Sequence, residues 1–213
     1  MKKPRILLAD DHKIVIEGLR SLLETEFELV GTVEDGRTLV SQAAKLHPDV
    51  IVVDISMPQL NGIEAVQQIK RHDKTVKVVF LTMHRDPSYA SSAFEAGASG
   101  FVLKHSAPSE LIRAIKEAIQ GRTYISPLIA GDLISSFQGG GSPEKQAVKE
   151  LSSRQREILQ LLAEGRSAKE IGALLDISAR TVEFHKYRIM EHLNIKTSAE
   201  LVQYAMKHGV ISE

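Results

Sequence analysis

The chain carries 213 residues, 43% of them hydrophobic, with 27 basic and 27 acidic side chains and no cysteine. That length exceeds the roughly 100–150 residues typical of one domain, so two cores are expected. The missing cysteines exclude disulfides, thiolate metal sites and thiol chemistry, and the even charge balance excludes a global pull towards a polyanion.

The basic start Met1-Lys2-Lys3-Pro4-Arg5 runs into Ile6-Leu7-Leu8-Ala9 and two aspartates, which is no signal-peptide core. No apolar run approaches the roughly 20 residues that span a bilayer, so a cytoplasmic protein without membrane contact is expected. Short β-rich runs then alternate with amphipathic segments. The strands are expected at Arg5 to Ala9, Leu29 to Val33, Val50 to Val53, Val78 to Leu81 and Gly100 to Leu103. Between and after them, residues 13–25, 36–46, 61–71, 87–97 and 108–120 carry apolar side chains at helical spacing. Asp86-Pro87 reads as an N-cap followed by proline in the first turn. The pattern predicts a five-stranded parallel α/β sheet, a (βα)5 unit of flavodoxin-like order, over residues 1–122.

After Gly121 the periodicity weakens, and Gly139-Gly140-Gly141-Ser142-Pro143 reads as a flexible tract within a linker over residues 123–147. Beyond it the strand signal vanishes. Ser152 with Gln155, Ser167 with Glu170 and Thr197 with Glu200 spell three capping boxes, so a small all-α four-helix unit is expected over 148–213.

In an open parallel sheet, ligands sit at the carboxyl ends of the strands where strand order reverses. Asp10 and Asp11 follow the first strand and Asp54 ends the third. Three carboxylates at one rim repel one another unless a cation joins them, and oxygen ligands alone suit Mg2+. Thr82 and Lys104, after the fourth and fifth strands, add a hydroxyl and an ammonium for phosphoryl oxygens, while a carboxylate attacks phosphorus to form an acyl phosphate. Singly, each has a bland reading as a helix cap or a solvated charge; together they fit phosphoryl transfer. A metal-dependent hydrolase is the enzymatic alternative, but the haloacid-dehalogenase-like pattern needs a carboxylate where Ser56 stands.

Residues 167–194 read as helix, turn and helix. Ser167 caps the first helix, Asp176-Ile177 turns, and Ser178 caps a second whose Val182, Ile189 and Leu193 face inward. Such a helix can enter a major groove. Residues 139–213 hold 11 basic and 10 acidic residues, so charge does not separate this reading from a bundle used for protein contacts.

The stretches Ile6 to His12, Asp54-Ile55-Ser56-Met57-Pro58, Asn61-Gly62, Leu81-Thr82 and Gly100 to Lys104 resemble a response-regulator receiver domain. Leu151 to Leu159, Leu162 to Gly165, Lys169 to Gly172 and Ile177 to His185 are similar to the LuxR-type helix-turn-helix domain of NarL/FixJ-type two-component response regulators. The resemblance implies that Asp54 is the phosphoacceptor and that Asp11 ligates Mg2+ directly. Asp10 would ligate largely through water, and the Ser56 carbonyl would complete the protein ligands. Thr82 and Lys104 would bind the phosphoryl oxygens, with Phe101 as the switch aromatic. It further implies phosphate contacts of DNA by Lys169, Arg180, Thr181, Lys186, Arg188 and Lys196, and base readout by Glu183, Phe184 and Tyr187, with His185 touching DNA or packing. Met83, His105, Glu183 and Ser198 stand where relatives commonly place a small residue, proline, lysine and arginine. The function implied is that of a transcription regulator, not an enzyme. Its partners would be a sensor histidine kinase and double-stranded promoter DNA, and phosphorylation would control homodimer formation. The alternative is a phosphorylation-independent regulator that keeps the receiver fold for dimerisation.

Overall fold

A computed structural model describes residues 3–106, 108–139 and 151–211. The chain forms two compact units, one holding the sheet and its helices through Gly139, the other the helices from Ser153 onward. Residues 140–150, which hold all of the expected flexible tract but Gly139, lie outside the described residues.

In the first unit the strands are β1 (Arg5–Ala9), β2 (Glu28–Val33), β3 (Val50–Val53), β4 (Lys77–Thr82), β5 (Gly100–Leu103) and β6 (Tyr124–Ile125). They lie in the order β2-β1-β3-β4-β5-β6, every neighbouring pair parallel. Helices α1 (Lys13–Leu23), α2 (Gly36–Leu46), α3 (Gly62–His72), α4 (Pro87–Glu95) and α5 (Pro108–Ile119) link consecutive strands, and α6 (Pro127–Gly139) follows β6. The central strands β3 and β5 are buried along their whole length, the burial that continuous apolar runs in a parallel sheet demand. Ile6, Leu8, Val50, Val52, Val79, Leu81 and Val102 pack with Leu111 and Ile115 of α5 in one core. Asp86 caps α4 through Ser88 N–H, with Pro87 in the first turn as expected.

The expectation of five strands is corrected to six. β6 is two residues long, too short to show the alternation by which a strand is recognised. Its main chain still bonds to β5 and its loop: Tyr124 N–H donates to Ser99 O at 3.0 Å and Ser126 N–H to Phe101 O at 2.9 Å. The weak periodicity after Gly121 likewise conceals α6, which packs against α4 and buries Ile129 and Leu133.

The second unit is all helix among its described residues: α7 (Ser153–Ala163), α8 (Ala168–Leu175), α9 (Ala179–His192) and α10 (Ser198–Lys207). The three capping boxes at Ser152, Ser167 and Thr197 are all formed. Ile158, Leu161, Ile171, Leu175, Val182, Ile189, Leu201 and Ala205 make its core. The α8–α9 turn needs two special residues. Asp176 is left-handed at φ 54°, and a Cβ on Gly172 would lie 2.7 Å from Ile177 O. Arg154 ties α7 to this turn by donating to Leu175 O at 2.6 Å. No helix among the described residues is long and apolar enough to cross a membrane.

Candidate functional site

Strand order reverses beside β1, whose neighbours are β2 and β3, and register there aligns Ala9 with Val53. Asp10 and Asp54 therefore leave the sheet side by side, and Asp54 N–H donates to Ala9 O at 2.9 Å. Both carboxylates are buried, at 1% and 4% exposure. Lys104, just past β5, bridges them: its Nζ stands 2.6 Å from Asp10 Oδ2 and 2.7 Å from Asp54 Oδ2. Asp54 Oδ1 accepts from Ile55 N–H at 2.7 Å, and Asp10 Oδ1 accepts from His12 N–H at 3.0 Å. Gly62 opens α3 so close to this point that a Cβ there would lie 2.0 Å from Asp54 O.

The electrostatics follow from that burial. Desolvation raises the Asp54 carboxyl above its ordinary value more than the Lys104 ammonium draws it down, and Asp10 adds to the rise. Burial alone would lower Lys104, but Asp54 and Asp10 outweigh it and hold the ammonium above its usual range.

Among the described residues, Asp10, Asp11, His12 and Asp54 form a group whose ligand atoms all lie within 4.8 Å of one another. Asp11 Oδ1 is buried and lies 2.7 Å from His12 Nδ1. Three carboxylates against one ammonium make a donor set that fits a hard divalent cation. Thr82 ends β4 fully buried, opposite Leu103 in register, and its Oγ1 accepts from His84 N–H at 3.2 Å. Phe101 is also fully buried and pairs with Phe80 on β4. Met83 is half exposed, and no peptide bond among the described residues is cis, that of Lys104-His105 included.

Sequence reasoning gave no role to His84. Its Nε2 lies 2.7 Å from Ser56 Oγ, and its ring stacks on Tyr89 at 4.2 Å and 18°. Burial, then Lys104, lowers the imidazole's pKa against the pull of Asp86, and burial followed by Asp86 pushes the Tyr89 phenol up to about 12. The only signal in the sequence is spacing, since Ser56 and His84 each stand two places after a residue of the pocket.

On the second unit, α9 starts at Ser178, whose side chain accepts from Thr181 N–H at 3.0 Å and meets Thr181 Oγ1 at 2.8 Å. Phe184 and Tyr187 are 58% and 68% exposed, which is unusual for aromatic rings without a partner surface. Lys169, Arg180, Arg188 and Lys196 are exposed, while Glu183, His185 and Lys186 are half buried. Arg188 pairs with Glu191 at 3.2 Å and lies 5.7 Å from the Phe184 ring centroid.

A parallel α/β unit with an acidic pocket at its strand ends, carried on one chain with a helix-turn-helix unit, defines the class of DNA-binding response regulators. Residues 6–116 match the response regulator receiver domain and residues 149–205 the luxR family of bacterial regulatory proteins. The chain belongs to the LuxR family of response regulators, and it is a transcription regulator with a receiver domain and a LuxR-type DNA-binding domain. It is 35% identical to the transcriptional regulatory protein DegU of Brevibacillus brevis, over 97% of this chain and 94% of that one. It is also 35% identical to the oxygen regulatory protein NreC of Staphylococcus carnosus, over 97% and 99%. Among solved structures, RcsB of Salmonella enterica serovar Typhimurium, bound to promoter P1flhDC with the phosphomimetic BeF3-, aligns with a TM-score of 0.65 and 30% identity. That alignment covers 97% of this chain and all of RcsB.

Proposed function

We propose that this regulator receives a phosphoryl group from a sensor histidine kinase on Asp54, and that the acyl phosphate controls dimerisation and promoter binding. The observation that carries the reading is the Lys104 bridge between Asp10 and Asp54, at 2.6 and 2.7 Å, beside the Asp11 carboxylate. Asp10, Asp11, Asp54 and the Ser56 carbonyl would hold Mg2+. When bound, the ion would neutralise charge building up on the transferring phosphoryl group. An Asp54 carboxylate oxygen attacks phosphorus as the bond to the donor breaks. Lys104 exchanges a carboxylate partner for a phosphoryl oxygen, and Thr82 turns its hydroxyl proton towards another. Phe101, on the strand between these two residues, repacks as Thr82 moves. A switch of this kind needs the phosphoryl group to prefer one of two conformations.

The reading assigns residues 1–122 to the receiver, 148–213 to DNA binding and 123–147 to the connection, whose first part, β6 and α6, docks on the receiver. Lys169, Arg180, Thr181, Lys186, Arg188 and Lys196 position the protein on DNA phosphates; Glu183, Phe184 and Tyr187 face base edges, with His185 beside them. Glutamate at 183 accepts from cytosine N4, where lysine would select guanine. Two such domains on paired half-sites act as a homodimer in the cytoplasm. Incubation with acetyl phosphate and Mg2+ should add one phosphoryl group by intact mass, and Asp54→Asn should abolish the gain. Equal binding of selected genomic promoter fragments by wild type and Asp54→Asn, with and without the phosphodonor, would instead mark a phosphorylation-independent regulator.

A further inference from the structure

Phe184 stands on the side of α9 turned away from its core contacts. Val182 and Ile189 of this helix are fully buried, whereas Phe184 is 58% exposed and Tyr187, on the same side, 68%. Neither burial nor helix propensity accounts for a phenylalanine there, since the ring adds little to the core and aromatic side chains are only middling helix formers. The ring is nonetheless held in place. The Arg188 guanidinium lies 5.7 Å from its centroid, and Arg188 is itself tied to Glu191 at 3.2 Å. The His185 imidazole meets the ring edge to face, at 5.8 Å and 69° between planes. An apolar surface steadied by two neighbours and open outward loses little freedom when a ligand packs on it.

The chemistry of that surface limits what it can read. A phenyl ring has no hydrogen-bond donor or acceptor for guanine N7 and O6, adenine N7 and N6, cytosine N4 or thymine O4. The apolar group that a base pair presents in the major groove is the thymine 5-methyl. Arg180 and Lys186 on the same helix supply the charge that brings a phosphate backbone to it. We propose that Phe184 packs on the 5-methyl group of a thymine in each half-site and so makes that thymine a determinant of the operator. The inference rests on the reading that α9 lies in the major groove, and it adds the base to which this ring answers.

Deoxyuridine lacks only the 5-methyl of thymidine, which makes the test direct. The full chain, treated with acetyl phosphate and Mg2+, is titrated against a genomic promoter fragment selected by its binding, with the thymines replaced one at a time by deoxyuridine. At one thymine of each half-site the wild type should bind about fourfold more weakly, the loss that one buried methyl group entails. Phe184→Ala should bind the two duplexes alike, and Phe184→Leu should keep most of the difference; a thermal melt of each variant checks that it folds as the wild type does. A fragment in which no thymine is sensitive to its methyl overturns the inference, as does a sensitivity that Phe184→Ala retains. The double variant Arg180→Ala, Lys186→Ala separates the two readings. If it binds the fragment as tightly as the wild type, α9 does not meet DNA and both fail; if it binds weakly while no methyl matters, Phe184 alone is wrong.

Discussion

Asp54 sits where burial and charge pull against each other, and burial prevails. A carboxyl whose folded value is raised above 3.8 favours the fold only while protonated, and it costs stability once the pH passes that folded value. Asp54→Asn removes the ionisation and leaves Lys104 its bridge to Asp10. We therefore expect the variant, without added metal, to melt higher than wild type near pH 7.5, with the difference closing towards about pH 4; calorimetry at the two pH values checks the sign. Gly62 sets a second limit, since α3 starts so near Asp54 that an added Cβ would stand 2.0 Å from Asp54 O. Gly62→Ala should cost about 1–3 kcal/mol in urea denaturation and lower phosphoryl acceptance at Asp54. The carboxylates, Thr82 and Lys104 were legible because strand ends can be located from apolar runs. His12 and His84 were not, because a histidine's partners depend on loop geometry that spacing does not encode.

The elements themselves divide by length. Five strands and five helices could be read from uninterrupted apolar runs and helical spacing, and the capping boxes from three-residue spacing that the hydrogen bonds then obey. β6 and α6 escaped because a two-residue strand has no period and the periodicity after Gly121 is weak. Their role is still substantial: Ser126 N–H bonds the strand that carries Phe101, and Ile129 is 1% exposed. If α6 belongs to the fold of the first unit, Ile129→Ala should destabilise it by about 2–4 kcal/mol in denaturant. A cost near zero would show that α6 is a passive tether.

At the scale of the whole molecule, the proposed pairing of phosphorylated receivers would join two LuxR-type units, which would gain from linkage rather than from new base contacts. The phosphorylated chain should bind DNA with two half-sites about 100- to 10,000-fold tighter than DNA with one. Asp54→Asn should show little difference between the two fragments in the same fluorescence titration. The short outer strand bears on that association too. Ladders between protein chains grow from long exposed strand borders, and β6 offers two residues before the chain turns into a helix. Open-ended β-stacking is blunted on that side, so copies of the regulator that meet there must recognise one another by side-chain surfaces, which can be made to depend on a phosphate.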